Sequence, residues 1–298
     1  MSIRTRWFFI AAVVLVVLIG GAFLLVGRKT PAPQAPTALA TTTPAYTVIG
    51  RSVEGRDIDA YTYGTGPTHL LFVGGMHGGY EWNAALLAFD YKQYLDAHPD
   101  AVPAGLTITV VPELNVDGVA AVVGKTGSFT EADVDPSQSV QESGRTNADK
   151  VDLNRNFACN WQPNATWRNH PESAGTAAFS EPESAALRDY IGSFKPAAVI
   201  FWHSQSGTVY AAQCGSTMAP HELELMRVYA DAAGYKTQAT FDAYPVAGDS
   251  EGWLASIGIP ALTVELTTHT DVEWQKNLGG INAILRYFTQ ATSTAQSS

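Results

Sequence analysis

The apolar run Leu70-Leu71-Phe72-Val73 passes into Gly74-Gly75-Met76-His77-Gly78-Gly79-Tyr80-Glu81 and then into the helical pattern Trp82-Asn83-Ala84-Ala85-Leu86-Leu87. A strand that becomes a helix within so few residues needs a tight bend, and glycines let the backbone make it. Such a junction belongs to an α/β architecture. His77 and Glu81 sit on it, where open α/β sheets gather ligands. A neutral imidazole and a carboxylate there can hold a divalent metal such as zinc, which also needs a third protein ligand and, for catalysis, an open position. A turn with a solvated His and a Glu favoured by the helix dipole fits the same stretch. The rest of the chain has to decide between them.

Residues 7–27 (WFFIAAVVLVVLIGGAFLLVG) carry no charge, and at 21 residues they can cross a hydrocarbon core of about 30 Å. We expect residues 1–6 to be a short N-terminal segment and 7–27 a retained transmembrane helix. A cleaved secretory signal is the alternative, although the nearest small-residue site, Ala38-Leu39-Ala40, lies well past the apolar run. Either way the remainder is expected outside the cytoplasm, membrane-anchored or, after cleavage, secreted. Arg4 and Arg6 before the span nearly balance Arg28 and Lys29 after it, so the inside-positive rule adds little. Residues 28–45 are rich in Pro, Ala and Thr, a semi-rigid linker. Residues 46–290 read as the folded domain and 291–298 as a flexible polar tail.

Hydrophobic residues make up 46% of the 298 and charged residues 15%, which calls for a sizeable core rather than disorder. The net charge is −10 and every acidic residue lies beyond position 46. That argues against a nucleic-acid partner, which would demand a basic face. The two cysteines, Cys159 and Cys214, make neither a disulfide scaffold nor a Cys-based metal site.

Along the domain, residues 46–50 and 58–63 alternate apolar and polar side chains and read as a hairpin. A buried strand at 69–74 precedes the glycine-rich junction and a helix to about Ala97. Residues 106–111 form another strand. Residues 119–150 look long, polar and loop-like, a length that usually has a functional reason. Ser180-Glu181-Pro182-Glu183 is a capping box that starts a helix ending near Phe194. Residues 197–202 form a buried strand with His203 at its end. Residues 219–233 read as a helix, 236–240 as a short strand, and Ser250 as the cap of a helix around Trp253. Residues 261–264 are the last strand, with Glu265 at its end, and a helix from about Val272 to Thr289 follows. Strands alternating with helices imply a three-layer α/β/α sandwich with a mixed central sheet, preceded by the one transmembrane helix.

His77, His203 and Glu265 thus each follow an apolar strand, and strand ends share one rim of a sheet. With Glu81 the set is two His, a carboxylate ligand and a spare carboxylate. That composition suits hydrolytic zinc chemistry, in which the metal lowers the pKa of water and a Glu takes its proton.

Here the chain resembles the zinc metallocarboxypeptidases, the family of the pancreatic carboxypeptidases and of bacterial cell-wall peptide amidases, over roughly residues 46–290. His77…Glu81 resembles the family's first zinc motif, and His203 in Trp202-His203-Ser204 its third ligand. Gly144-Arg145-Thr146-Asn147 with Val151-Asp152-Leu153-Asn154-Arg155-Asn156-Phe157 is similar to its substrate-binding segment. Asn115-Val116-Asp117-Gly118 is similar to its Asn-Pro-Asp-Gly turn. Tyr244 lies nine residues before Trp253, as the family's mobile tyrosine does before a tryptophan. Thr263-Val264-Glu265-Leu266 resembles the segment with its catalytic glutamate. The family spaces the first His and the Glu by two residues, whereas three stand here; Gly78 and Gly79 give the turn freedom to absorb the extra one.

The resemblance implies one Zn2+ ion on His77, Glu81 and His203, and a peptide substrate with a free C-terminal carboxylate. Glu265 would be general base and then acid, and Arg145 would stabilise the oxyanion. Asn154 and Arg155 would clamp the carboxylate, and Tyr244 would close over the substrate. For Arg155 the competing role is an ion pair with Asp152; Arg145 could be a solvated loop residue and Tyr244 an ordinary loop aromatic. Glu251 falls where the family reads the substrate's C-terminal side chain. A carboxylate there favours a basic side chain; a first-turn Glu on the helix after Ser250 is the alternative. His269, close to Glu265 in sequence, is a candidate for contact with the ligands or the substrate. Cys159 and Cys214 flank this site in an exported domain, so we expect a disulfide bracing the pocket; two buried free thiols are the alternative. The implied activity is carboxypeptidase-type hydrolysis. A related amidase acting on cell-wall peptides or acylated amino acids, or a non-catalytic surface binding domain, are the alternatives.

Overall fold

The computed structural model describes residues 44–168 and 170–296. The membrane span expected at 7–27 and nearly all of the 28–45 linker lie outside the described residues. Among the described residues no helix is long and apolar enough to cross a membrane.

The strands are β1 (Ala45–Arg51), β2 (Asp57–Gly64), β3 (Thr68–Val73), β4 (Leu106–Val111), β5 (Asn164–Trp167), β6 (His170–Ser173), β7 (Ala198–Ser204), β8 (Thr208–Ala211), β9 (Lys236–Gln238) and β10 (Ala261–Leu266). The helices are α1 (Trp82–Ala97), α2 (Val116–Val123), α3 (Gln138–Ser143), α4 (Pro182–Phe194), α5 (Glu222–Ala233), α6 (Ser250–Ser256) and α7 (Trp274–Gln296). Eight strands form one mixed sheet in the order β1-β2-β4-β3-β7-β10-β8-β9, while β5 and β6 make a separate hairpin. The centre, β4-β3-β7-β10, is parallel, and antiparallel pairings flank it at β2 and β8.

Buried parallel strands carry apolar residues on both faces. Leu70, Phe72, Ile200 and Trp202 pack against α1, α5 and α7. Leu71, Val73, Val199 and Phe201 face the other way, against α4 and α6. The period-2 alternation of one apolar run therefore serves two cores. A smaller cluster joins Trp82, Phe89, Val119 and Phe129.

Several local readings need correction. The 119–150 segment holds structure: α2 runs to Val123, a 3₁₀ turn covers Glu131–Asp133, and α3 follows. Asn115 caps α2 by accepting from Gly118 N at 2.9 Å, and the turn-forming residues Asp117 and Gly118 hide the helix's short apolar stripe. The capping box at Ser180–Glu183 does not form. Glu181 is the N-cap residue, and the Glu183 carboxylate accepts instead from Val53 N and Asn147 Nδ2, both at 3.1 Å. Likewise Asp249, not Ser250, caps α6, accepting from Gly252 N at 2.7 Å. In the last two cases partners distant in sequence took the side chain that a local rule assigned to the cap. The final helix also continues through Gln296, beyond the expected end at Thr289.

Candidate metal and substrate site

Strands β3, β7 and β10 are neighbours and parallel, so their C-terminal ends share a rim. His77 comes just after β3, His203 lies in the last turn of the β7 pleat, and Glu265 is its register partner on β10. The glycine-rich stretch curls into a 3₁₀ turn, Gly78–Glu81, directly before α1. Gly78 has φ +48°, and a Cβ there would stand 2.3 Å from the Gly144 carbonyl oxygen. Only glycine fits both constraints. This turn absorbs the extra residue of spacing and aims Glu81 back at His77.

The result is a buried cluster. Glu81 Oε1 lies 2.8 Å from His77 Nδ1, and Glu81 Oε2 lies 3.0 Å from His203 Nδ1. The two Nδ1 atoms approach to 3.2 Å. Among the described residues, His77, Glu81 and His203 form the one group whose ligand atoms, all within 4.8 Å of one another, could hold a metal ion. Burial alone would push the Glu81 carboxyl up, but the two imidazoles outweigh it and hold the group well below the usual range. The donor set suits zinc, which takes imidazole nitrogen and carboxylate oxygen. The far nitrogens support the fit: His77 Nε2 stands 3.4 Å from Asp152 Oδ1, and His203 Nε2 3.3 Å from Glu251 Oε1. Neither approach is an aligned hydrogen bond, yet carboxylates behind ligating histidines are the usual orienting arrangement.

Glu265 is half-buried and its carboxyl is pushed up to about 8, first by burial and then by the Glu81 charge, with His203 opposing. Arg145 is buried, with Nη1 4.0 Å from Glu81 Oε1. Its Nη2 donates to Asp152 Oδ2 at 2.7 Å, and its guanidinium stacks on Trp167 at 4.5 Å. The ion pair with Asp152, weighed in the sequence for Arg155, is made by Arg145. Burial would raise the Asp152 carboxyl, but Arg145 and Arg155 override it and hold the group well below its ordinary value.

Beside the cluster opens a cavity of about 530 Å³, lined among others by His77, Asn154, Arg155, Tyr244, Glu251 and Glu265. Asn154 and Arg155 come from a 3₁₀ turn, Leu153–Arg155, capped by the Asp152 side chain. Asn154 Oδ1 accepts from Ser250 N and Oγ at 2.9 and 3.0 Å, tying this turn to the start of α6. Arg155 Nη1 donates to the Asn154 carbonyl at 2.7 Å, and its Nε has no partner. Gly248, at φ +76°, lets the next loop pass close: a Cβ there would stand 2.2 Å from the Arg155 carbonyl oxygen. Tyr244 packs its ring against Phe241 at 4.8 Å. Glu251 accepts from Thr263 Oγ1 and Ser250 Oγ at 3.0 and 2.8 Å. Burial opposes its charge, but His203 prevails and holds the carboxyl down at about 2. Cys159 and Cys214 are joined by a disulfide at the cavity's edge, their Cα atoms 5.7 Å apart.

The structure therefore brings His77, Glu81, His203, Glu265 and Arg145 together and sets Asn154, Arg155, Tyr244 and Glu251 around the adjoining cavity. The sequence reading missed Asp152 as the partner of both Arg145 and His77. Its signal was an acidic residue just before the Leu153–Phe157 segment, ambiguous because an arginine stands on each side of it, Arg145 seven residues before and Arg155 three after. It also missed Asn156. That side chain donates to Ala174 O, Ala177 O and Ser180 Oγ and accepts from Glu181 N and Ser184 Oγ. It thereby moors the 174–184 loop to the site.

Comparison with known proteins points the same way. The model of a family described as "Zinc carboxypeptidase" matches residues 37–283. Bacteriocin BCN5 of Clostridium perfringens is 26% identical over 239 residues, which is 76% of this chain and 23% of that protein. The chain thus spans under a quarter of that relative's length. The solved structure of murein-tripeptide amidase MpaA from Escherichia coli O157 superposes with a TM-score of 0.58 at 22% identity, covering 82% of this chain and 92% of that one. Carboxypeptidase A from Helicoverpa armigera superposes with a TM-score of 0.65 at 19% identity, covering 86% and 70%. Bovine thrombin-activatable fibrinolysis inhibitor, solved with a tick carboxypeptidase inhibitor, does so at 0.65 and 19%, covering 86% and 92%. At these identities the likeness to solved structures is one of fold.

Proposed function

The chain belongs to the zinc carboxypeptidase family, and from that premise we propose that it removes the C-terminal residue of peptides by zinc-dependent hydrolysis. The observation that carries this reading is the convergence of His77 Nδ1, Glu81 and His203 Nδ1 beside a cavity that also holds Arg155 and Glu265. His77, Glu81 and His203 would hold the ion. Zinc in such a set supplies Lewis acidity and lowers the pKa of a water molecule.

The chain's own residues then have distinct tasks. Arg155 and the Asn154 amide face the cavity, where a planar guanidinium can take the substrate's terminal carboxylate in two hydrogen bonds. Glu265 accepts the proton of the attacking water at its carboxylate and returns it to the leaving nitrogen. Its upward displacement suits a proton acceptor working near neutral pH. Arg145, fixed by Asp152, provides positive charge beside Glu81 for the developing oxyanion. Tyr244 and Glu251 both line the cavity; Tyr244 would close over the bound substrate, and the Glu251 carboxylate would favour a basic C-terminal side chain. We further propose that residues 7–27 anchor the chain in a membrane with this domain outside the cytoplasm, and the acidic net charge of −10 argues against a nucleic-acid partner.

The test is a peptide-library digest read by mass spectrometry, with wild type and Glu265→Gln, with a chelator, and with zinc restored. We expect single C-terminal residues to be released, release to stop with chelator and return with zinc, and Glu265→Gln to lower kcat by about 10²–10⁴-fold. Cleavage of cell-wall peptides without release of C-terminal residues would replace this reading with the amidase one. Activity indifferent to the chelator would sink both.

A further inference from the structure

Three partly exposed rings stand together outside the cavity. Tyr80 lies 5.2 Å from Trp167 and 4.7 Å from His269 between ring centroids. None of the three belongs to the buried apolar clusters, and none lines the cavity that holds Arg155, Tyr244 and Glu251. Each is nonetheless tied to the metal set. Tyr80 directly precedes Glu81. His269 Nδ1 is 2.8 Å from the hydroxyl of Ser204, the residue after His203. Trp167, at the end of β5, is stacked on Arg145 at 4.5 Å, and Arg145 reaches to 4.0 Å from Glu81.

A substrate whose terminal carboxylate sits in the cavity and whose scissile carbonyl sits at the ligand cluster must send the rest of its chain out past that cluster. We propose that Tyr80, Trp167 and His269 form a subsite for an aromatic or large aliphatic side chain on the residue just before the scissile bond. The proposal rests on the carboxypeptidase reading above. The chemistry follows from the wall. Ring faces pack against ring faces or branched alkyl groups in tilted and edge-on geometries, and the wall's own rings already adopt such geometries. The guanidiniums of Arg145 and Arg168 lie 4.5 and 4.9 Å from the Trp167 ring, so a lysine or arginine side chain meets like charge there. Arg145 is paired with Asp152 and lies 4.0 Å from Glu81, so an acidic side chain in the subsite competes with two buried carboxylates for the guanidinium. Its stacking fixes the indole in place before substrate arrives.

The experiment compares blocked peptides that share their last residue and differ only in the one before it: Phe, Leu, Gly, Lys or Asp. In wild type, kcat/KM for the Phe peptide is expected to exceed that for the Gly peptide by about tenfold, with Lys the poorest. Trp167→Ala and Tyr80→Ala should each move the Phe-to-Gly ratio toward one. Trp167→Leu and thermal melting of every variant separate a lost subsite from a lost fold. A wild-type ratio near one, an Asp peptide better than the Phe peptide, or a full ratio retained in both folded variants overturns the subsite. Release of C-terminal residues regardless of the preceding one leaves the carboxypeptidase reading standing without it; no release from any peptide removes both.

Discussion

The Arg145 guanidinium meets the Asp152 carboxylate at 2.7 Å, both side chains buried. The same carboxylate approaches His77 Nε2 at 3.4 Å. One acidic group therefore restrains both the candidate oxyanion-binding residue and a candidate metal ligand. Replacing it leaves a buried guanidinium without a counter-charge, which costs about 3–5 kcal/mol. Asp152→Asn should lower stability by that order in urea denaturation. It should also weaken zinc about 10–100-fold in a chelator competition. Unchanged zinc affinity would mean that Asp152 serves Arg145 alone.

Glu251 tests whether one carboxylate can serve two masters, the cavity wall and His203. Glu251→Gln keeps the size and the hydrogen bonds with Ser250 and Thr263 within reach but removes the charge. We expect the preference for Lys-ended over Phe-ended peptides to fall several-fold, and zinc to bind about tenfold more weakly. An unaltered preference would confine Glu251 to a positioning role behind His203.

Glu113 gives a pH dependence away from the site chemistry. It accepts from Gly127 N at 2.9 Å, while its second oxygen is buried without a partner. Burial pushes its carboxyl up to about 8, with the Gly127 bond opposing. Above the unfolded value of about 4.3 the folded state holds a proton that the unfolded state has lost. The stability this group contributes is thus full at low pH and declines as pH rises through about 8. Glu113→Gln should flatten part of that decline between pH 5 and 8, by on the order of a few kcal/mol. Parallel stability curves for wild type and variant over this range would refute it.

The Cys159–Cys214 disulfide closes a loop of 55 residues in sequence. Constraint of the unfolded chain makes such a bond worth about 2–4 kcal/mol. The double change Cys159→Ala with Cys214→Ala should lower stability by that order. Wild type under denaturing, non-reducing conditions should show no free thiol; two would contradict the bond.

The hairpin of β1 and β2, the buried runs of β3, β7 and β10, and helix α1 were legible because apolar periodicity and glycine punctuation are local signals. So were the residue types at His77, His203 and Glu265, since each comes after an apolar run, and Glu81 four residues beyond His77. The 119–150 helices were not legible, because α2 spans just Val116–Val123 and contains Asp and Gly in its first turn. The caps at Ser180 and Ser250 were misread for a related reason. Asn154 engages Ser250 from 96 positions away, and Glu181 takes the Ser180 hydroxyl at 2.7 Å. A rule that counts three residues ahead cannot see the first of these.

His77-Gly78-Gly79-Tyr80-Glu81 shows where the division falls. By itself the sequence determined that a His and a Glu stand at a bend built for glycine, after a strand and before a helix, because those features are encoded within a few residues. It left open whether the extra residue carried Glu81 away from its partners. The tertiary structure decided that. Gly78 tightens the turn against Gly144, and the adjacency of β3 with β7 delivers His203 to the same point. Packing across 126 residues of chain places His203 Nδ1 at 3.2 Å from His77 Nδ1. Proximity of that kind is set by which strands lie side by side, a property of the whole sheet that no short segment contains.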